Sequence, residues 1–215
     1  MTDSDEHVAR IAERVARWPA DGARRFVAIA GPPAAGKSTL AEAVTARLDA
    51  ETAGGCALVA MDGFHLDNAV LDARGWRPRK GAPHTFDVAG YRALLRRMRE
   101  EDEDVFVPVF DRDADLARAC AAVVPGGARV VVTEGNYLLL DAEPWTSLAP
   151  LFDLTVFLDI TEAELEARLV KRWASHGWDA QRAADHIAMN DMPNIRTVLR
   201  QSRPADITLQ TGGGH

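Results

Sequence analysis

The sequence predicts an α/β protein: one domain built on an open, mostly parallel sheet with helices on both faces, a three-layer arrangement. Three observations carry that expectation. Short apolar, β-rich runs recur without the polar alternation of a half-exposed strand, so each is buried on both sides. Amphipathic helical periods separate them, as strand–helix–strand crossovers require. The size and composition suit a single substantial core, with 215 residues, 47% hydrophobic and 27% charged, and mean hydropathy −0.16.

The elements follow in order. Val8, Ile11, Ala12, Val15 and Trp18, three or four apart, write an opening helix within residues 1–19 that Pro19 ends. Phe26 to Ala30 is a strand, followed by a Gly-rich turn and a helix from about Lys37 to Ala50. Ala57 to Met61 is a second strand ending at Asp62, and residues 63–85 show no strand pattern. Loops of that length are usually functional in a compact domain. Phe86 to Glu100 is helical, with Val88, Tyr91, Leu94, Leu95 and Met98 on one face, so Tyr91 reads as core. Val105 to Phe110 is extended, Arg129 to Thr133 is a Val-rich strand ending at Glu134, and Leu154 to Leu158 is a further strand. Thr161 to Glu164 is a capping box opening a helix to about Ser175, closed by Gly177. The segment Asn190–Asn194 (NDMPN) reads as a helix break with caps, and Asp206 to Gln210 as a last short strand. The domain is thus expected over residues 1–210, with 211–215 (TGGGH) a loose tail.

Composition excludes several classes. The net charge of −7 and pI near 5.4 oppose phosphate backbones and anionic lipid, so no nucleic-acid or membrane partner is expected. The start, MTDSDEH, lacks basic and apolar leader regions, and Cys56 and Cys120 have neither disulfide-framework nor zinc spacing. The chain reads as cytoplasmic. Its oligomeric state is not legible, and a homodimer stays open.

Gly31-Pro32-Pro33-Ala34-Ala35-Gly36-Lys37-Ser38 fits G-x-x-x-x-G-K-[ST] at every fixed position, after a buried strand and before a helix. Glycines let the backbone curl around a phosphate, while exposed N–H groups and the helix N-terminus supply positive potential. Lys37, expected at an exposed loop end, reaches the β/γ oxygens, and Ser38 offers a hydroxyl to Mg²⁺. Residues 31–39, through Thr39, therefore read as an ATP site in a P-loop NTPase fold. Glu134 ends the strand expected beside this loop and can hold Mg²⁺ directly or through water, or else cap the next turn. No N-K-x-D motif for guanine is present.

Asp62 stands at the carboxyl end of the second strand, where open α/β sheets place ligands. A carboxylate there can take the proton of an alcohol attacking the γ-phosphoryl group, or simply form a turn. Arg74, Arg77, Arg79 and Lys80 make the following loop basic, facing something anionic or solvent. His65 and His84, with Asp62, Asp87 and Arg112, offer the convergent polar groups that a sugar needs. Trp76 or Phe86 offers a face for a nucleoside base.

GPPAAGKST, MDGFH, TFDV, VPVFDR, VVVTEGNYLLL and RLVKRW, in this order, resemble the kinase family of uridine kinase, bacterial pantothenate kinase and phosphoribulokinase over about residues 25–210. The flavour is that of the bacterial nucleoside/nucleotide kinase-like branch, which includes proteins described as fructose kinases. The resemblance implies that Asp62 is the general base, that Glu134 is the metal-site acid and that Phe86-Asp87 touches substrate. It also implies a short helical lid at about residues 162–178, whose Arg168 and Arg172 close over the phosphates. Asp87 is equally suited to cap its helix, and Arg168, Lys171 and Arg172 to form a solvated face. The chain departs from uridine kinases, which read Asp-Ser-Phe-Tyr where it has Asp62-Gly63-Phe64-His65. The function expected is phosphoryl transfer from Mg-ATP to a small-molecule alcohol, a sugar such as fructose, with nucleoside or pantothenate kinase as the alternative. A regulatory ATP-binding switch is the alternative from another class.

Overall fold

The computed structural model describes residues 3–52 and 55–211. The glycines and histidine that end the predicted tail, Gly212 to His215, lie outside them.

Five parallel strands form the central sheet: β1 (Arg25–Ala30), β2 (Cys56–Ala60), β5 (Val130–Gly135), β6 (Leu154–Asp159) and β7 (Ile207–Gln210). Their order is β2-β5-β1-β6-β7, each neighbouring pair parallel. β1, flanked on both sides, is buried from Phe26 to Ala30 and carries the phosphate loop at its end. Register pairs Ala30 with Gly135 and Ala60 with Glu134, so the carboxyl ends of β1, β2 and β5 line up along one edge.

Successive strand residues face opposite sides, and each side has its own core. Phe26, Ala28, Val59 and Val131 pack against Tyr91, Leu95 and Met98 of α4 (Val88–Glu100) and against Trp145. Val27, Ile29, Val132 and Val156 pack with Ile11 and Val15 of α1 (Asp3–Val15), Leu40 and Val44 of α2 (Lys37–Glu51), Leu165 of α5 (Glu162–Ser175) and Ile195 of α7 (Met192–Gln201). Asp87 caps α4 through the Gly90 amide at 2.9 Å, and Thr161 caps α5 through the Glu164 amide at 3.3 Å. Among the described residues no helix is long and apolar enough to cross a membrane.

Two local expectations, the end of the first helix and the break at 190–194, are corrected, and two others hold with added detail. The opening helix stops at Val15, and Trp18 lies in the turn that follows, packed on the α1–α2 core. The extended run at 105–110 becomes β3 (Val105–Asp111), paired antiparallel with β4 (Leu116–Val124) in a hairpin outside the main sheet. β4 reads Leu-Ala-Arg-Ala-Cys-Ala-Ala, without β-branched residues until its end, so local composition hides it. The 63–85 segment contains α3 (Asn68–Ala73), capped by Asp67 and anchored by fully buried Leu71, and two short 3₁₀ turns at Arg77–Arg79 and Pro83–Thr85. At Asn190–Asn194 there is no break. α6 (Ala180–His186) runs through a π-turn, Ile187–Asp191, into α7, and the Met189 carbonyl, four residues before Pro193 with its missing N–H, accepts from Arg79 at 2.8 Å.

Candidate active site

Close packing and backbone conformation dictate the phosphate loop. A Cβ on Gly31 would stand 3.0 Å from the Leu158 Cβ, so only glycine lets the loop leave β1 against β6. Ala34 (φ +64°) and Gly36 (φ +91°) both take left-handed conformations, and strain of that kind clusters at ligand sites. α2 begins at Lys37, so the amides of Lys37, Ser38 and Thr39 fall in its first turn, where N–H groups lack helical acceptors.

Lys37 does not sit at an exposed end. It is 7% exposed, and its Nζ donates to the Pro32 carbonyl at 2.9 Å and to Asn136 Oδ1 at 2.7 Å. The β5 strand, one position over from β1, encloses it. Burial lowers the Lys37 pKa, against the raising effect of the Glu134 and Asp62 charges. Ser38 Oγ donates to Glu134 Oε1 at 3.0 Å. Burial also raises the Glu134 pKa, which Lys37 and the Ser38 hydrogen bond oppose. The paired hydroxyl and carboxylate are hard oxygen donors 3.0 Å apart, a set that suits Mg²⁺ completed by water and phosphate oxygens.

Asp62 lies in a 3₁₀ turn, Met61–Phe64, directly after β2. Its side chain is 26% exposed and 3.5 Å from Arg112 Nη2, which the β3–β4 turn delivers. Gly63 has no room for a side chain, because a Cβ would lie 2.5 Å from the Pro108 carbonyl of β3. The departure from the uridine-kinase pattern at Gly63 is thus tied to the hairpin. His65 donates its Nδ1–H to the Asp62 carbonyl, 2.8 Å away, and its ring lies 4.1 Å from Phe86 and 4.5 Å from Phe110. It braces the Asp62 turn from below. Phe86 is core, packed edge-on against Tyr137 and Trp145. Asp87 commits Oδ1 to the α4 cap, and exposed His84 stands edge-on to Trp76, which also carries Arg74. The basic loop is tied down by partners within and beyond it: Lys80 binds Asp115 and Asn68, Arg77 binds Asp72, and Arg79 binds the Met189 carbonyl and Asn194.

Two side chains of α5 face the site. Arg168 bonds Glu164 at 2.9 Å and reaches the Ala34 carbonyl of the phosphate loop at 3.4 Å. Arg172 lies within electrostatic range of Arg112, Asp191 and Asp62. Lys171 lies exposed on the helix surface between them in sequence. Sequence reasoning passed over Asn136, although it stands two residues after Glu134 in the quoted EGNY stretch. The same stretch carries Tyr137, whose hydroxyl donates to the Gly81 carbonyl at 2.6 Å. Asp191 was also read only as a cap, whereas it accepts from the Trp173 indole at 2.8 Å and faces His186 at 3.9 Å.

A glycine-rich loop on the central strand, a buried lysine, a Ser–Glu pair and an acid at the next strand end define a P-loop phosphotransferase. The chain belongs to the phosphoribulokinase/uridine kinase family, whose model matches residues 26–214, and is an ATP-dependent small-molecule kinase. It is 38% identical over 189 residues to "Uncharacterized protein YggC" of Escherichia coli (strain K12), covering 87% of this chain and 78% of that one. It is 32% identical over 196 residues to "Putative uridine kinase C227.14" of Schizosaccharomyces pombe, covering 87% and 83%. The crystal structure of a "putative fructose transport system kinase" from Silicibacter sp. TM1040 superposes with TM-score 0.88 at 42% identity, covering 97% of this chain and 98% of that one.

Proposed function

We propose that this kinase transfers the γ-phosphoryl group of Mg-ATP to a hydroxyl of a sugar or sugar-like polyol, with Asp62 as general base. The observation carrying the proposal is the placement of Asp62: a partly exposed carboxylate just after β2, with Arg112 at 3.5 Å, Glu134 near the end of the paired strand β5, and Ser38 of α2 bonded to Glu134. In this reading Asp62 takes the proton of the attacking hydroxyl, the new O–P bond forms as the bond to the β-phosphate oxygen breaks, and ADP leaves. Lys37, Arg168 and Arg172 balance charge on the phosphates, and the amides of residues 31–39 orient them. Ser38 and Glu134 would hold Mg²⁺, which when bound neutralises phosphate charge.

The sugar assignment draws on Gly63 and His65, which replace the hydroxyl and phenol of uridine kinases. It draws also on the name given to the 42%-identical structure. Of the two rings offered as faces for a base, Phe86 is 6% exposed and packed in the core, while Trp76 is half-buried beside Arg74 and His84. The name of the yeast relative favours a nucleoside acceptor as the second reading. ADP release measured with fructose, ribose, ribulose 5-phosphate, pantothenate, uridine and cytidine decides between them. Turnover of a sugar supports the proposal, and turnover confined to a nucleoside at micromolar KM overturns it.

A further inference from the structure

Asn136 follows β5 directly, and β5 lies between β1, which carries the phosphate loop, and β2, which ends just before the Asp62 turn. Gly135 pairs in register with Ala30, the last residue of β1, so Asn136 emerges beside the start of that loop. Its Oδ1 accepts from Lys37 Nζ at 2.7 Å, across 99 residues of sequence. An ammonium only donates, so the atom at this contact is the amide oxygen and the amide orientation is fixed. Nδ2 is then the free arm. It makes no hydrogen bond to the described residues, and it is not among the buried polar atoms that the chain seals from solvent. Half-buried Asn136 therefore presents an open donor next to the lysine of the phosphate loop.

The surroundings say what that donor faces. Of the three N–H groups of the Lys37 ammonium, the Pro32 carbonyl takes one at 2.9 Å and Asn136 another, which leaves one for a ligand. That N–H and Nδ2 belong to two groups in direct contact, so a single anionic group can receive both. The sheet order sets which phosphate this is. The loop after β1 takes the nucleotide, the acid after β2 meets the acceptor, and Asn136 stands between them after β5. Its neighbours in sequence serve the same place: Glu134 holds the Ser38 hydroxyl, and Tyr137 lies within electrostatic range of Asp62. The group that lies between nucleotide and acceptor is the one transferred.

We propose that Asn136 is a γ-phosphoryl-binding residue, whose Nδ2 donates a hydrogen bond to an oxygen of the transferred group while its Oδ1 keeps Lys37 turned toward the same group. This rests on the ATP-site reading above and adds a residue to it. A donor fixed in place before the nucleotide arrives needs no rearrangement when charge shifts on the phosphoryl oxygens. The amide is neutral, so it anchors Lys37 without cancelling the positive charge that the phosphates need. The bond separates triphosphate from diphosphate, because ADP has no oxygen at that place.

The test titrates wild type and Asn136→Ala, with Mg²⁺ present, against ADP and against a non-hydrolysable ATP analogue by calorimetry. A hydrogen bond to a charged group sets the scale: Kd for the analogue should rise about tenfold or more in the variant, with Kd for ADP within about twofold of wild type. Unchanged affinity for the analogue in a folded Asn136→Ala protein overturns the assignment, even though the ATP site stands. So does an equal loss for both nucleotides, which would place the effect on the β-phosphate or on Lys37 alone. A wild type that binds neither nucleotide overturns the ATP-site reading itself, and this inference with it. Should the alanine variant fail to fold, Asn136→Leu, close to asparagine in shape and without its polar atoms, is read by the same criteria.

Discussion

Three charged groups set the chemistry at the residue scale, and each is shaped by what surrounds it. The hydrogen bonds of the Lys37 ammonium go to two neutral oxygens, so its charge stays available to phosphates. Asp62 keeps partial access to solvent beside Arg112, as a base that must meet a substrate hydroxyl requires. Replacing Asp62 by Asn preserves shape and removes the base. We expect kcat to fall by about 10²-fold or more with KM for ATP little changed, the usual scale for a general base. A comparable loss of ATP affinity, read by nucleotide titration, would move Asp62 to the metal instead. Glu134 gives a prediction in pH. Burial raises its pKa in the folded state, so its contribution to stability is present below the unfolded carboxyl range and is lost as pH rises through the folded value. Glu134→Gln removes that loss while keeping an oxygen for Ser38. Without nucleotide, its melting temperature should exceed wild type at pH 8 and converge with it under acid conditions, while turnover falls at least 100-fold. A variant less stable than wild type at pH 8 would show that the Lys37 attraction outweighs desolvation.

At the scale of elements, the β3–β4 hairpin does more than its small size suggests. It carries Arg112 to Asp62 and presses the Pro108 carbonyl onto Gly63. Gly63→Ala must either push the hairpin outward or shift the Asp62 turn. Overpacking of this kind typically costs about 1–3 kcal/mol, so the variant should melt measurably lower and lose kcat through displacement of Asp62 and Arg112. Wild-type stability and turnover in Gly63→Ala would show that the hairpin moves freely. The strands of the main sheet were legible because their apolar runs are unbroken, and the Asp87 and Thr161 caps because capping is local chemistry. β4 was not, since its alanines become a strand only through pairing with β3. The continuous helix at 187–201 was missed for a related reason. Asn190 and Asp191 look like cap residues in isolation, but Lys80 and Trp173 occupy their side chains.

At the scale of the whole molecule, the sheet separates two cores. The α4 side holds Phe86, which follows the 63–85 segment, and Tyr137, which follows β5, while the α1–α2 side supports the back of the phosphate loop through Ala35 and Leu40. Ile11 of α1 is fully buried in that second core. Ile11→Ala should cost about 2–5 kcal/mol by cavity formation, seen in denaturant unfolding, with kcat and both KM values preserved below the melting transition. A selective loss of acceptor affinity would contradict this separation. The sequence by itself determined the α/β class, the strand-ending acids and the ATP loop, because each rests on chemistry contained in a few adjacent residues: apolar runs, caps, and a glycine-lysine-serine spacing. Only the tertiary structure decided that Lys37 binds Asn136, that Gly63 yields to the hairpin and that the basic loop is tied to Asp115, Met189 and Asn194. Those features depend on contacts between segments distant in sequence, such as Lys80 with Asp115, 35 residues apart, and Arg79 with Asn194, 115 apart. Such contacts follow from how the crossovers pack, which no local pattern encodes.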